Sequence, residues 1–277
     1  MNIQEHDLTK FKDSVSVVIP AFNCRDTLDR ALASIFAQVC YIKEVLVVDD
    51  GSTINFVDII DRWVSYGLPI LYFRLTVNSG PGYARNFGIK KSSGLFIAFL
   101  DADDYWHDNK IEIQLYFLLI YPEIEILGTL TSVMGPSSTL IKPSQCSIKQ
   151  FGLVDFLISC RIPMRSVIIR RSVPILFGDR ECVEDFYAWL NYLIQPKSKI
   201  YRVESTLSFS GMDEFSGGSY SSNLLSTEIR EINTLLSFLT SRNRLAFLIP
   251  IALIFSVLKF FRRFISRFLK NLFAAVV

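Results

Sequence analysis

Histidine and clustered cysteine are what this chain has least of. There are two histidines, His6 and His107, and five cysteines (Cys24, Cys40, Cys146, Cys160, Cys182), scattered and odd in number, with no C-x-x-C spacing. That pattern offers neither a zinc site nor a disulfide framework, and it fits a reducing cytoplasm. No internal repeat is present, and no glycine-rich G-x-G-T-R loop follows the first apolar run. The opening segment MNIQEHDLTKFKD is polar and lacks an apolar core, so no signal peptide is expected. The uncharged apolar run Leu245–Leu258 has 14 residues and contains Pro250, short of the ~20 residues of a membrane-spanning helix. Acidic residues are absent beyond Glu231, where seven Lys and Arg residues follow. The whole chain carries +2, so these seven leave residues 1–231 with a net −5. An acidic body argues against nucleic acid as partner, and a basic apolar tail points toward an anionic membrane surface.

What is present is a hydrophobic chain of 277 residues, half of them apolar, enough for one sizeable core. Ser14–Ile19 is a β-branched run stopped by Pro20, and Glu44–Val48, Pro69–Arg74 and Leu95–Leu100 are further strand candidates. Helical spacing recurs over Asp26–Ala37, with Asp26 or Thr27 as cap, over Ile54–Tyr66 and over Tyr83–Lys90. Four strand-helix alternations predict a parallel sheet covered by helices on both faces. Beyond them the pattern predicts a helix over Lys110–Tyr121, a strand over Glu125–Val133, a loop over Gly135–Ser147 and a helix over Lys149–Cys160. A short strand over Ser166–Ile169, a helix over Cys182–Leu193, a strand over Ile200–Phe209 and a flexible loop over Gly211–Asn223 complete the body.

In open α/β sheets, ligands bind outside the carboxyl ends of the strands. Pro20 and Phe22, Asp49 and Asp50, Asn78 and Gly80, and Asp101 and Asp103 all lie there, so residues distant in sequence are expected on one rim. The sharpest cluster is FIAFLDADD, a buried strand that delivers Asp101, Asp103 and Asp104 within four positions. Carboxylates so close repel, and a divalent cation would offset the repulsion; a solvated turn is the plainer alternative.

The order SVSVVIPAFN, EVLVVDDGS, N-x-G with ARNFGI, GLFIAFLDADDYW and VEDFYAWL resembles family 2 of the GT-A glycosyltransferases, inverting enzymes that use nucleotide-sugar donors. The resemblance covers residues 14–220 and implies a catalytic domain there, with 224–277 as a helical, basic, membrane-associating region. It implies that Pro20 and Phe22 hold the base, Phe22 by stacking on uracil, unless Phe22 is a core aromatic. It places Asp50 on the base imide, leaves Asp49 to the turn, and puts Asn78 and Arg85 on the nucleotide. Arg85 could equally be an ion-pair partner of the rim carboxylates. Asp101 and Asp103 match the family's D-x-D element, with Asp103 a direct ligand of Mn2+ or Mg2+, Asp101 on the ribose or the metal's waters, and Asp104 anchoring the next turn. Asp185, second in the Glu184-Asp185 pair, matches the general base; the alternative is a favourable helix N-terminal charge. Many relatives carry an arginine or histidine after the last strand, whereas Phe209–Ser221 has neither, leaving Ser219 or the amides of Gly217-Gly218 as substitutes.

The implied activity is transfer of one sugar from a UDP-sugar to a glycan hydroxyl, the glycan carried on an isoprenoid lipid, in surface-polysaccharide assembly. The implied place is the cytoplasmic face of the cell membrane, reached through the basic, Phe-rich helix beyond Leu258. A helix packed on the body, a homo-oligomerisation helix and a true span are the other readings of that tail. A nucleotidyltransferase or an inactive membrane scaffold are the rival functions. The first would show the glycine-rich loop that Pro20-Ala21-Phe22-Asn23 is not.

Overall fold

The computed structural model describes residues 8–133, 135, 140–159, 162–178, 181–211, 224–238 and 248–274. Its β-branched runs form the centre of one sheet: β1 (Val15–Ala21), β2 (Ile42–Asp49), β3 (Ile70–Arg74) and β4 (Phe96–Phe99). These four are mutually parallel where they touch, in the order β3-β2-β1-β4. Strands buried on both faces read as continuous apolar runs, which is why VSVVI and EVLVV lack polar alternation. Residues alternate between two cores. Val15, Val17 and Ile19 face α1 (Arg25–Phe36), α2 (Val57–Ser65) and α4 (Lys110–Ile120), while Val18 faces α3 (Pro81–Lys91).

The second half of the sheet is mixed, so the parallel arrangement holds only for the first four strands. β8 (Ile168–Arg170) runs antiparallel to β4 and to β6 (Ile126–Ser132). β9 (Ile200–Phe209) lies parallel to β6 and pairs antiparallel with β5 (Tyr105–Trp106) and β7 (Ile148–Phe151). Two expectations are corrected here. The helix expected over Lys149–Cys160 starts only at Leu153, as α5 (Leu153–Ile158), because the preceding residues are taken by the edge of β9. Ahead of α4, Tyr105 and Trp106 form a strand against Phe209 and Ser208. Helix α1 likewise begins after Cys24, with Asp26 and Thr27 inside its first turn rather than capping it.

Because β2 and β4 flank β1 on opposite sides, the order reverses at β1, and a crevice opens beyond the carboxyl ends of β1 and β4. Helix α6 (Glu184–Leu193) starts at that end and buries Phe186, Trp189 and Leu190 in the second core.

Of the expected loop over Gly211–Asn223, only Gly211 lies within the described residues, and Arg242 and Arg244 also lie outside them. The C-terminal region contains α7 (Leu224–Ser237) and α8 (Ile249–Ala274). The first half of α8 packs on the body: Ile249, Ala252 and Ser256 are buried, and the Ser256 hydroxyl donates to Glu228 Oε1 of α7 at 2.7 Å. Lys259 pairs with Glu231 one turn on. Ile251, Ile254, Leu258, Phe261 and Ile265 remain exposed. No helix among the described residues is long and apolar enough to cross a membrane.

Candidate active site

The loop after β1 is built on Asn23, a non-glycine residue at φ 49°. Asparagine tolerates that region because its side chain bonds the backbone locally. Here Oδ1 accepts the amides of Thr53 and Ile54, at 2.9 and 3.1 Å, tying the loop after β1 to the Asp49-Asp50-Gly51-Ser52 turn. Asp49 holds that turn from beneath, accepting from the Ser52 amide and the Tyr72 hydroxyl. Asp50 faces the other way, and its two oxygens accept the amides of Ser79 and Gly80 at 2.7 and 2.6 Å. It thereby fixes the glycine-rich turn that opens α3, and each oxygen keeps a further lone pair. Gly51 at φ 72° and Gly80 at φ 94° occupy the left-handed backbone these two turns require.

Helix α3 then delivers Arg85, buried, with Nη2 2.5 Å from Asp101 Oδ1. Of the two roles open for Arg85, ion pairing with the rim is the one made here, and its Nε is a buried donor with no acceptor. Asp103 lies beside Asp101, and burial together with that neighbour pushes its carboxyl above the ordinary range. Asp104 turns inward, accepting from Arg165 Nη1 at 3.0 Å and from the Gly211 amide at 3.2 Å, so it ties the end of β4 to the end of β9. Burial and the Asp101 charge, opposed by Arg165, bring it to about 7.

Arg165 is held from below. Trp106 Nε1 donates to its carbonyl at 2.7 Å, and Gln114 Nε2 donates to the carbonyls of Leu127 and Ser166. Gln114 in turn accepts from Lys110 Nζ at 2.8 Å. Lys110 is fully buried, 4.0 Å over the Trp106 ring, and burial drives its ammonium well below the usual range.

At the start of α6, Glu184 pairs with Arg230 of α7 at 3.1 Å, and Asp185 accepts the Phe186 amide at 2.8 Å. Burial raises both carboxyls, and Arg85 is the main charge opposing the rise.

All eight residues singled out for the site, Pro20, Phe22, Asp50, Asn78, Arg85, Asp101, Asp103 and Asp185, line one cavity of about 890 Å³. Phe22 is 46% exposed at its edge, which removes the core-aromatic alternative. Cys24 also faces the cavity, but burial pushes its thiol up to about 12, so it stays protonated and is no nucleophile. Arg165, Thr227 and Arg230 complete the wall, and sequence motifs do not reveal them. Arg165 had one signal, a charge between the apolar Met164 and Val167; Arg230 had none, since it reads as one polar position of an amphipathic helix. The glycine and serine residues proposed as substitutes after β9, Gly217, Gly218 and Ser219, lie outside the described residues.

Seven carboxyl groups and three guanidiniums line the cavity, a formal excess of four negative charges that the burial of Asp103, Asp104, Glu184 and Asp185 lessens. An anionic ligand enters such a site with a cation. The described residues hold no group of three or more potential ligands. Asp101 and Asp103 are hard oxygen donors of the kind Mg2+ or Mn2+ takes when phosphate oxygens and water fill the remaining positions. The residues therefore fit a divalent ion shared with a diphosphate.

Comparison with known proteins agrees with this geometry. Over 87% of its length the chain superposes on Staphylococcus aureus TarS 1–349 in complex with UDP-GlcNAc, with a TM-score of 0.64, 20% identity and 70% of that chain covered. It also matches the mannosyltransferase PcManGT from Pyrobaculum calidifontis in complex with GDP-Man and Mn2+, with a TM-score of 0.59, 14% identity, and 88% and 73% of the two chains covered. At these identities the likeness establishes the GT-A-type fold. Two Escherichia coli relatives, WfaP and WfgD, are both UDP-Glc:α-D-GlcNAc-diphosphoundecaprenol β-1,3-glucosyltransferases. WfaP is 29% identical, with 80% of this chain and 86% of the relative covered. WfgD is 30% identical, with 65% and 69% covered. Of a longer Rickettsia bellii glycosyltransferase, 43% identical over 104 residues, the match spans only 15%. The model of glycosyl transferase family 2 matches residues 16–165, from the first strand through Arg165. With more than half of its length inside that match, and its D-x-D and Glu-Asp pairs on one cavity, this chain belongs to glycosyl transferase family 2.

Proposed function

We propose that this glycosyltransferase is an inverting enzyme that moves one sugar from a UDP-sugar to a hydroxyl of an isoprenoid-diphosphate-linked glycan, at the cytoplasmic face of a membrane. The observation that carries the reading is the convergence of residues from five separate sequence motifs on one cavity wall. The UDP-GlcNAc complex of TarS and the lipid-diphosphate acceptors named for WfaP and WfgD support the choice of donor and acceptor classes.

In this mechanism Phe22 stacks on the uracil, while Pro20, Asp50 and Asn78 shape the base and ribose site. Asp103 would hold Mn2+ or Mg2+ and Asp101, kept in place by Arg85, would assist. A bound ion would neutralise charge on the departing diphosphate. Asp185 accepts the proton of the acceptor hydroxyl as its oxygen bonds to the anomeric carbon and the C1–O bond to UDP breaks on the opposite face. Its burial-raised pKa makes it a stronger base than a solvated aspartate. Arg165 supplies a cavity cation of the kind that Phe209–Ser221 does not contain. The exposed apolar side chains of α8, followed in sequence by Arg262, Arg263, Arg267 and Lys270, give the enzyme its membrane-facing side.

Asp185→Asn tests the chemistry. Transfer should fall at least 1,000-fold, while UDP binding with Mn2+, measured by calorimetry, stays within about twofold. Unchanged turnover would remove Asp185 from the mechanism.

A further inference from the structure

The base candidate Asp185 sits in the first turn of α6, and the short segment before it, Glu181–Glu184, belongs to no strand or helix until Glu184. Such a segment cannot hold a carboxylate to the few tenths of an ångström that proton transfer needs unless something outside it does. Helix α7 supplies that support at successive turns. Arg230 donates through Nε and Nη2 to the Cys182 carbonyl, at 3.1 and 2.8 Å, and pairs through Nη2 with Glu184 Oε2 at 3.1 Å. Thr234 Oγ1 accepts the Val183 amide at 2.9 Å. Asn233 donates to the Glu181 carbonyl at 3.4 Å. Three side chains of one helix thus engage four consecutive residues ending beside Asp185.

These contacts are sheltered. Arg230 and Glu184 side chains are 13% and 10% exposed, and Thr234 is fully buried. A planar guanidinium that bonds a carbonyl and a carboxylate at once fixes orientation as well as charge, which an ammonium does less well. Helix α7 is itself clamped from behind by α8, through Ser256 to Glu228 and Lys259 to Glu231.

We infer that Arg230 is a positioning residue for the transfer reaction: from α7 it fixes the Cys182–Glu184 segment so that Asp185 presents its carboxylate to the acceptor hydroxyl. The inference rests on Asp185 being the general base. Helix α7 on this account is a wall of the active site, and α8 reaches the reaction through it.

The test uses the full-length chain with UDP-glucose or UDP-GlcNAc, whichever turns over, Mn2+, and a short-chain alkyl diphosphate-GlcNAc acceptor that needs no membrane. Arg230→Met should lower kcat about 30-fold or more, with the donor KM and the affinity for UDP unchanged within twofold. Arg230→Lys, which can restore the Glu184 pair but not the forked contact, should recover about a third to a tenth of wild-type kcat. If Arg230→Met melts too low to assay, Thr234→Val removes only the bond to the Val183 amide and should cost about 5-fold in kcat with the same unchanged KM. Asp185→Asn is run alongside. If it is inactive while Arg230→Met and Thr234→Val keep wild-type kcat, the positioning role is overturned and the base assignment stands. If Asp185→Asn turns over normally, both fall. A rise in donor KM with constant kcat would make Arg230 a donor-binding group and also overturn the inference.

Discussion

Replacing Arg85 by Met removes one charge from the centre of the site while keeping much of the side chain's length. The immediate loss is the ion pair with Asp101. A fully buried pair broken on one side costs about 3–5 kcal/mol, but the Asp101 side chain is 25% exposed and water can reach it, so about 2 kcal/mol of stability is expected. The catalytic effect has a definite sign. Burial raises the Asp185 carboxyl, and Arg85 is the first charge opposing that rise. An opposite charge nearby holds a carboxyl down; Arg165 still acts on Asp185 when Arg85 is gone, so the opposition is weakened and not abolished. Without Arg85 the base holds its proton to higher pH. The acid limb of the kcat profile, measured at saturating donor and Mn2+, should therefore move to higher pH. Below the limb the variant should be slower than wild type, and the gap should close above it. A uniform fall in kcat with the limb unmoved would refute the electrostatic coupling and leave Arg85 as a donor contact alone.

Three other outcomes follow from the packing. Burial holds the Lys110 ammonium well below its ordinary value near 10.5, so the unfolded chain binds protons that the folded chain does not, and stability should rise with pH up to that value. Lys110→Met should abolish this slope in urea titrations between pH 7 and 10, and parallel profiles for the two proteins would refute it. At Gly88→Ala the usual helix gain of about 1 kcal/mol is outweighed, because the new methyl meets both γ-carbons of Val18, and a net loss of about 1 kcal/mol is expected in the urea midpoint; a stabilised variant would show that α3 can shift freely on β1. Phe261→Ser combined with Ile265→Ser, both more than half exposed, should weaken binding to anionic vesicles about 30-fold without changing the melting temperature, and unaltered flotation would rule out α8 as the contact.

The parallel half of the fold was legible because its signal is local. VSVVI, EVLVV and FIAF are apolar on both faces, and the turn residues at their ends stand next to them in the chain. The candidate site was legible to the same extent, since Pro20, Asp50, Asn78 and Asp101 lie at, or within a few residues of, the carboxyl ends of their strands. What was missed depends on partners far away. Ile148–Phe151 has no strand signature of its own and becomes one against Ile200–Val203. Tyr105 and Trp106 pair with residues about a hundred positions on. Arg230 reads as one charge among the alternating polar positions of an amphipathic helix, and only the packing of α7 turns it toward Glu184. The tail was half legible: its apolar periodicity identified the helix, but the same periodicity serves a protein core or a lipid surface, and in α8 Ile249, Ala252 and Ser256 are buried on the body while Ile251, Ile254 and Leu258 are exposed.

The position of β4 has a consequence for how such enzymes diversify. It is a seam, with parallel β1 on one side and antiparallel β8 on the other, and the family match stops at Arg165, just short of β8. The half that carries Pro20, Asp50, Asn78 and Asp101 is assembled before the seam, whereas α6 and α7 come after it. A recombination crossover between residues 135 and 160 would leave every turn tied by Asn23 and Asp50 intact while exchanging the far wall of the cavity. New acceptors could then be acquired by grafting one half onto another, provided the incoming half brings a partner for Asp104, whose side chain spans the seam to Arg165 and Gly211.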